Sequence, residues 1–202
     1  MKNKAIILAT ILYFLIINTT YFWQGKLGLY SFPFFVILVL IFLILFVIFI
    51  KQVYNGINEN FKNKLTNLNI IILIITLSFT FAKPNGLVNF EQFQEKDLLI
   101  AEREGGANCN TILKLKENGI FKEKTVCFGI TEIIGKYEFK NDTIFFSKIK
   151  SESIENKYFE FAIIKKSINK NDNLSNIVRY LNKKDKIGKE LWIRENNLII
   201  QK

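Results

Sequence analysis

The chain changes its hydrophobic pattern once, near Ala82. Before that point apolar residues run together, as in Ala5–Ile17, Phe34–Ile50 and Ile70–Ala82. Beyond Leu98 they alternate with polar residues in short stretches broken by Asn, Asp and Gly. Long uncharged runs predict helices that span a bilayer, each needing ~20 residues. Short alternation predicts half-buried strands. The sequence therefore divides into an anchor over residues 1–83, a linker over 84–97 and a β domain over 98–202.

Three spans are predicted, at about residues 5–23, 32–50 and 66–82. The uncharged stretches Ala5–Gly25 and Leu27–Ile50 meet the required length easily. The third is marginal, because the 18 uncharged residues of Leu65–Ala82 cover only ~27 Å at the helical rise. It also carries Asn67, Asn69, Thr76, Ser78 and Thr80; hydroxyls in such a helix bond back to its own carbonyls. Lys83-Pro84-Asn85-Gly86 stops it, since proline disfavours helix in the residue before it. The first segment begins like a signal peptide, with Lys2 and Lys4, but Asn18-Thr19-Thr20-Tyr21-Phe22-Trp23 offers no small-x-small cleavage site, so it reads as a retained helix.

Three spans place Lys2, Lys4, Lys51, Lys62 and Lys64 on one side, and Lys26 and Lys83 on the other. The positive-inside rule then predicts an N-terminus in the cytoplasm and a β domain outside; the expected location is a bacterial inner (cytoplasmic) membrane. If the third segment only lay on the surface, the β domain would return to the cytoplasm. Tyr21, Trp23 and Tyr30 bracket the turn near 24–31 as an interfacial belt does. No Asp, Glu, Lys or Arg lies within a span, which argues against a pump or transporter. Asn18 and the hydroxyls read as helix packing or local backbone bonding.

Strands are predicted near 98–103, 110–116, 120–128, 134–140, 143–149, 158–164, 177–181, 190–195 and 198–201. Gly105-Gly106, Asn169–Asn176 and Asn182–Lys186 read as loops. In the linker, Val88, Phe90 and Phe93 suggest a short helix or an interfacial contact. Strands at this spacing, without helices between them, imply an antiparallel sandwich or barrel.

Three hairpins follow from pairing arithmetic. A three-residue loop Glu117-Asn118-Gly119 puts Gly119 in the left-handed position such loops favour. It pairs Lys116 with Ile120, Leu115 with Phe121 and Thr111 with Thr125. The same register sets Cys109 opposite Cys127 at a non-hydrogen-bonded site, where Cα atoms are ~4.5 Å apart, within the ~4.4–6.8 Å range of disulfides. A Cys109–Cys127 disulfide is therefore predicted; the alternative is two buried thiols in a cytoplasmic domain. A second hairpin turns at Asn141-Asp142 and pairs Phe139 with Ile144 and Tyr137 with Phe146. A third turns at Asn196-Asn197 and pairs Ile193 with Ile200.

The run Leu113-x-Leu115, Asn118-Gly119-x-Phe121, Gly135-x-Tyr137 and Asp142-Thr143-Ile144-x-Phe146 resembles the repeating hairpins of lipocalin-like domains in bacterial envelope proteins. The likeness covers about 34 residues, 113–146. It implies a small antiparallel barrel, lipocalin-like, fused to the helical anchor. The Gly-x-Trp signature near the start of lipocalins is absent, so the resemblance implies the fold and not a ligand-binding calyx.

Charge changes this picture little. Of 28 Lys+Arg and 18 acids, six Lys and one acid precede Lys83, so each part carries +5. Lys outnumbers Arg 25 to 3, and Ile, Lys and Asn supply 80 residues. That is the codon bias of an AT-rich genome, so Lys165-Lys166 and Lys183-Lys184 read as solvated surface rather than as an anionic-lipid or nucleic-acid site.

Histidine is absent, which excludes His-based acid/base catalysis and His metal ligation. Two thiols alone make a poor zinc site, and Cys109 and Cys127 are no C-x-x-C redox pair. Glu104-Gly105-Gly106-Ala107 lacks the Lys-Ser/Thr of a phosphate loop. Glu102 and Glu104 share a strand face, where a solvated edge is the plain reading. Of the Asn-x-Ser/Thr triplets at Asn18, Asn141 and Asn173, the first lies in a span, and in a bacterium none is informative. No catalytic, cofactor-binding or metal site is predicted, and the protein is read as a non-enzyme. The expected partners are the lipid bilayer and an envelope protein or lipid, with no nucleic acid. A small membrane immunity protein that neutralises a toxin is the alternative.

Overall fold

The computed structural model describes residues 2–106, 109–150, 158–165 and 175–198. The chain forms two compact units, one from residues 1–24 and 30–93, the other from residues 25–29 and 94–202.

The first unit is helical: α1 (Lys2–Asn18), α2 (Thr20–Trp23), α3 (Ser31–Asn58) and α4 (Lys64–Ala82). The 28 residues of α3 extend ~42 Å at the helical rise, and its Pro33 sits in the first turn, where a missing N–H leaves no bond unmade. Asn63 caps α4, its side chain accepting from the N–H groups of Leu65 and Thr66 at 3.1 and 3.4 Å; this satisfies two donors a helix start leaves free. Both α3 and α4 are long and apolar enough to cross a membrane.

The marginal segment is the first, not the third. α1 and the helical stretch that follows it are bent by 60° at Thr19 and reach spanning length only if taken together. At the bend, Asn18 Nδ2 donates to the Phe14 carbonyl, and the Thr19 and Thr20 hydroxyls donate to those of Leu15 and Ile17, all within 2.7–2.8 Å. Such back-bonding bends helices. Asn18 Oδ1 also accepts from Leu87 N–H at 2.9 Å, so its amide ties the end of α1 to the chain after α4.

The buried positions repeat in sevens. α3 buries Ser31, Leu38, Leu45 and Gln52; α4 buries Thr66, Asn69, Leu73, Thr76 and Thr80; α1 buries Thr10, Tyr13 and Ile17. Threes and fours of this kind make the seam of a left-handed bundle, and small or hydroxyl-bearing residues let membrane helices approach closely. α4 packs against both α1 and α3. The opposite faces are apolar and exposed, as at Leu40, Leu43, Val47, Ile71 and Ile75.

The linker contains a single 3-10 turn, Phe90–Phe93. The second unit is a closed barrel of eight antiparallel strands: β1 (Asp97–Glu104), β2 (Asn110–Lys116), β3 (Ile120–Val126), β4 (Ile130–Lys140), β5 (Thr143–Lys150), β6 (Phe161–Lys165), β7 (Asn176–Tyr180) and β8 (Lys189–Asn196). Each strand pairs with the next, and β8 returns to β1. Between sandwich and barrel, the barrel is the observed solution, and closing it leaves no free sheet edge.

Two hairpins have the register that their turns dictate. Leu115 faces Phe121 and Thr111 faces Thr125, with Gly119 at φ 76°. Phe139 faces Ile144 and Tyr137 faces Phe146, with Asn141 and Asp142 at φ 48° and 60°. The third hairpin is not seen among the described residues. Ile193 lies opposite Ala101 of β1, and the Asn197 N–H donates to the Leu98 carbonyl; Ile200 lies outside the described residues. Closure with β1 takes the edge that a local hairpin would have used. β4 also starts at Ile130, not Ile134, and β6 starts at Phe161, not Tyr158.

Residues 25–29 belong to this unit as well. The Gly28 carbonyl accepts from Ile130 N–H at 3.2 Å, so the short turn between predicted spans adds a bridge to β4. Asn173, Lys166 and most of the 169–176 loop lie outside the described residues.

Candidate functional site

Strand alternation sends Leu99 and Ala101, Leu113 and Leu115, Ile144 and Phe146, and Ile177 and Leu191 into the barrel, where they form one buried cluster. Phe121 is fully buried at its centre, with its ring over Gly135. A Cβ at Gly135 would lie 2.5 Å from Phe121 Cε1, so the ring's position requires glycine there. Below it, the Tyr137 hydroxyl donates to the Lys116 carbonyl at 2.8 Å.

Above this apolar layer the interior turns polar. Glu123 of β3 and Arg179 of β7 follow the same inward phase as Phe121 and Ile177, and are 6% and 4% exposed. Arg179 Nη1 donates to Glu123 Oε2 at 2.6 Å. Neither strand neighbours the other in the sheet, so the pair bridges the barrel through its interior. The same Oε2 accepts the Tyr158 hydroxyl at 2.5 Å.

The Tyr158 ring stacks on Phe121 at 5.1 Å and meets Phe146 edge-on at 5.4 Å. The Arg179 guanidinium lies 4.4 Å from the centroid of Phe159, and Lys189 Nζ lies 5.9 Å from that ring. Burial holds the Tyr158 hydroxyl well above the ordinary tyrosine value; the Glu123 carboxylate adds to that shift and Arg179 opposes it. Arg179 Nε is buried with no hydrogen-bond partner among the described residues.

Further toward the same end, Thr111 and Thr125 hydroxyls lie 3.2 Å apart. Beyond them Cys109 and Cys127 are joined by a disulfide, with Cα atoms 4.3 Å apart. The bond staples the start of β2 to the end of β3, two layers above Glu123. At outward-phase positions that are nevertheless buried, Lys116 pairs with Asp97 at 2.9 Å and Lys122 with Glu132 at 3.0 Å. Glu102 meets Arg194 at 3.6 Å, an exposed contact of the kind that contributes little.

The cysteines are the site residues that spacing singles out. The Glu123–Arg179–Tyr158 cluster is not singled out by any motif. Its signal is phase: Glu123 lies two residues from the inward Phe121, and Arg179 two residues from the inward Ile177. Among the described residues no group of three or more His, Cys, Asp or Glu is placed to hold a metal. Comparison with protein-family models, curated proteins and solved structures returns no match.

Proposed function

We propose that this is an integral membrane protein that displays a disulfide-linked β-barrel outside the cytoplasm, where the barrel serves as a binding module of the cell envelope. The observation that carries this reading is the barrel's construction. It is closed, filled by its own side chains, and stapled at one end by Cys109–Cys127. Disulfides persist in oxidising compartments, and with the bent first segment counted as one span the five-to-two Lys asymmetry favours placing the domain in one.

The helical unit supports the bilayer as its partner. An apolar groove of 410 Å³ lined by Phe42, Phe46, Phe49, Ile74, Leu77 and Phe81 opens on its surface, as lipid-facing helices present. A binding role fits a chain without histidine and a barrel whose buried charges are paired with each other. The lipocalin-like label remains the family we favour for the barrel, on its eight-stranded meander.

The test is accessibility. Trypsin added to intact spheroplasts should remove an epitope tag placed after Lys202, and mass spectrometry of unreduced, alkylated protein should find no free thiol. A tag protected until the membrane is lysed would overturn the reading.

A further inference from the structure

Among the side chains packed into the barrel, Tyr158 and Phe159 belong to no strand. Their chain is fixed at Glu160, whose N–H donates to the Tyr180 carbonyl at 3.0 Å and whose carbonyl accepts from Phe146 N–H at 2.9 Å. The Tyr158 ring occupies a slot walled by other strands and closed on one side by its own neighbour Phe159, whose ring meets it edge-on at 5.4 Å. Phe121 of β3 stacks on one face, 16° from parallel, and Phe146 of β5 stands at 81° to it. At the end of the slot the Glu123 carboxylate accepts the hydroxyl. Arg179 adds a buried donor, Nε, that nothing among the described residues uses. Two aromatic walls, one charged acceptor and one unused donor are the recognition elements of a hydroxylated ring.

We propose that the slot formed by Phe121, Phe146, Glu123 and Arg179 is a binding site for a phenolic ring, occupied here by the chain's own Tyr158 and available to a ligand when Tyr158 withdraws. This deepens the binding-module reading and rests on it. A free phenol donates to Glu123 as Tyr158 does. Unlike Tyr158, it is not tethered at residue 160, so it can also tilt to accept from Arg179 Nε. The tethered tyrosine is an intramolecular competitor: apparent affinity falls by the fraction of time the slot is open. The ring can come from a small molecule or from a tyrosine side chain offered by a protein.

The experiment titrates 4-methylphenol into the full-length protein in detergent micelles and follows binding by saturation-transfer NMR. Tyr158→Ala should bind at least about tenfold tighter than wild type, because the competitor is gone. Adding Glu123→Gln to that variant should cost about tenfold, the worth of a charge-assisted hydrogen bond. Tyr158→Phe keeps the packing and drops the hydroxyl, so it should also be displaced more readily than wild type; it carries the test alone if Tyr158→Ala fails to fold.

Toluene is the control for an unselective hole, and wild type corrects for micelle partitioning. A capped Gly-Tyr-Gly peptide separates the sources: binding equal to 4-methylphenol supports a presented tyrosine, and exclusion of the peptide alone supports a small phenol. Folded Tyr158 variants that bind 4-methylphenol no better than wild type, or that take toluene equally well, overturn the proposal. Neither outcome touches the tag-accessibility result, so failure of the slot and failure of the extracytoplasmic reading are seen separately.

Discussion

Glu123→Ala leaves Arg179 charged inside the barrel with its 2.6 Å partner removed. Both groups are almost fully buried, so solvent does little to screen what remains. Breaking a buried pair by removing one member costs ~3–5 kcal/mol. Tyr158 loses its acceptor at the same time, a loss of ~1–3 kcal/mol where a buried hydroxyl is left unpaired.

The two terms share one carboxylate and do not simply add, so the expected total is about 4 kcal/mol or more, against the ~5–15 kcal/mol that holds a domain together. The apolar triple variant Glu123→Leu/Arg179→Met/Tyr158→Phe leaves no stranded group and should return to within ~1 kcal/mol of wild type, as replaced buried ion pairs do.

The assay is guanidinium unfolding of the full chain in detergent. In a Trp23→Phe background, the remaining Trp192 on β8 reports the barrel. The reasoning is refuted if Glu123→Ala stays within ~1 kcal/mol of wild type, or if the triple variant is as unstable as the single.

Replacing Cys109 and Cys127 by Ser should lower barrel stability by ~3 kcal/mol in the chain-entropy model, for a closure of sequence separation 18; an unchanged unfolding midpoint would contradict it. Gly135→Ala places a Cβ 2.5 Å from Phe121 Cε1 and 2.9 Å from the Ser147 carbonyl oxygen. Overpacking of this kind costs ~1–3 kcal/mol, and a neutral result would mean the ring moves aside freely.

Alkaline pH should weaken the barrel through Tyr158. Its folded value is raised by burial, so the contribution is complete below the unfolded value of ~10 and is lost as pH rises from there toward the folded value. Wild type should therefore lose stability faster than Tyr158→Phe above pH ~10; parallel curves would show that folding leaves the hydroxyl's value unshifted and would contradict the prediction.

The sequence displayed what is local. Gly119 and Asn141-Asp142 set two hairpin registers, because a tight turn of fixed length leaves one pairing that keeps the hydrophobic phase. With the first register, Cys109 fell opposite Cys127. The uncharged runs of α3 and α4 were equally plain. The break in the first segment was visible as Asn18-Thr19-Thr20, but whether such side chains bend a helix or decorate it depends on which carbonyls they reach. The seam of Ser31, Leu38, Leu45 and Gln52 was masked by the apolar residues around it, since lipid and helix interior make similar demands on a side chain.

What the sequence could not fix was which distant strands meet. Local pairing arithmetic sets Ile193 against Ile200, three residues past the Asn196-Asn197 turn. The barrel pairs Ile193 with Ala101 instead, because joining β8 to β1 satisfies two edges at once. The same closure makes the cluster we assign to binding. Glu123 and Arg179 lie 56 residues apart and are not sheet neighbours, and Tyr158 reaches them from outside any strand. Alternation put Glu123 on the face of Phe121, but the adjacent Ile177 and Val178 left the direction of Arg179 undecided. Only the closed tertiary structure decided that they face each other, since the curvature of a barrel brings opposite walls within reach of one salt bridge.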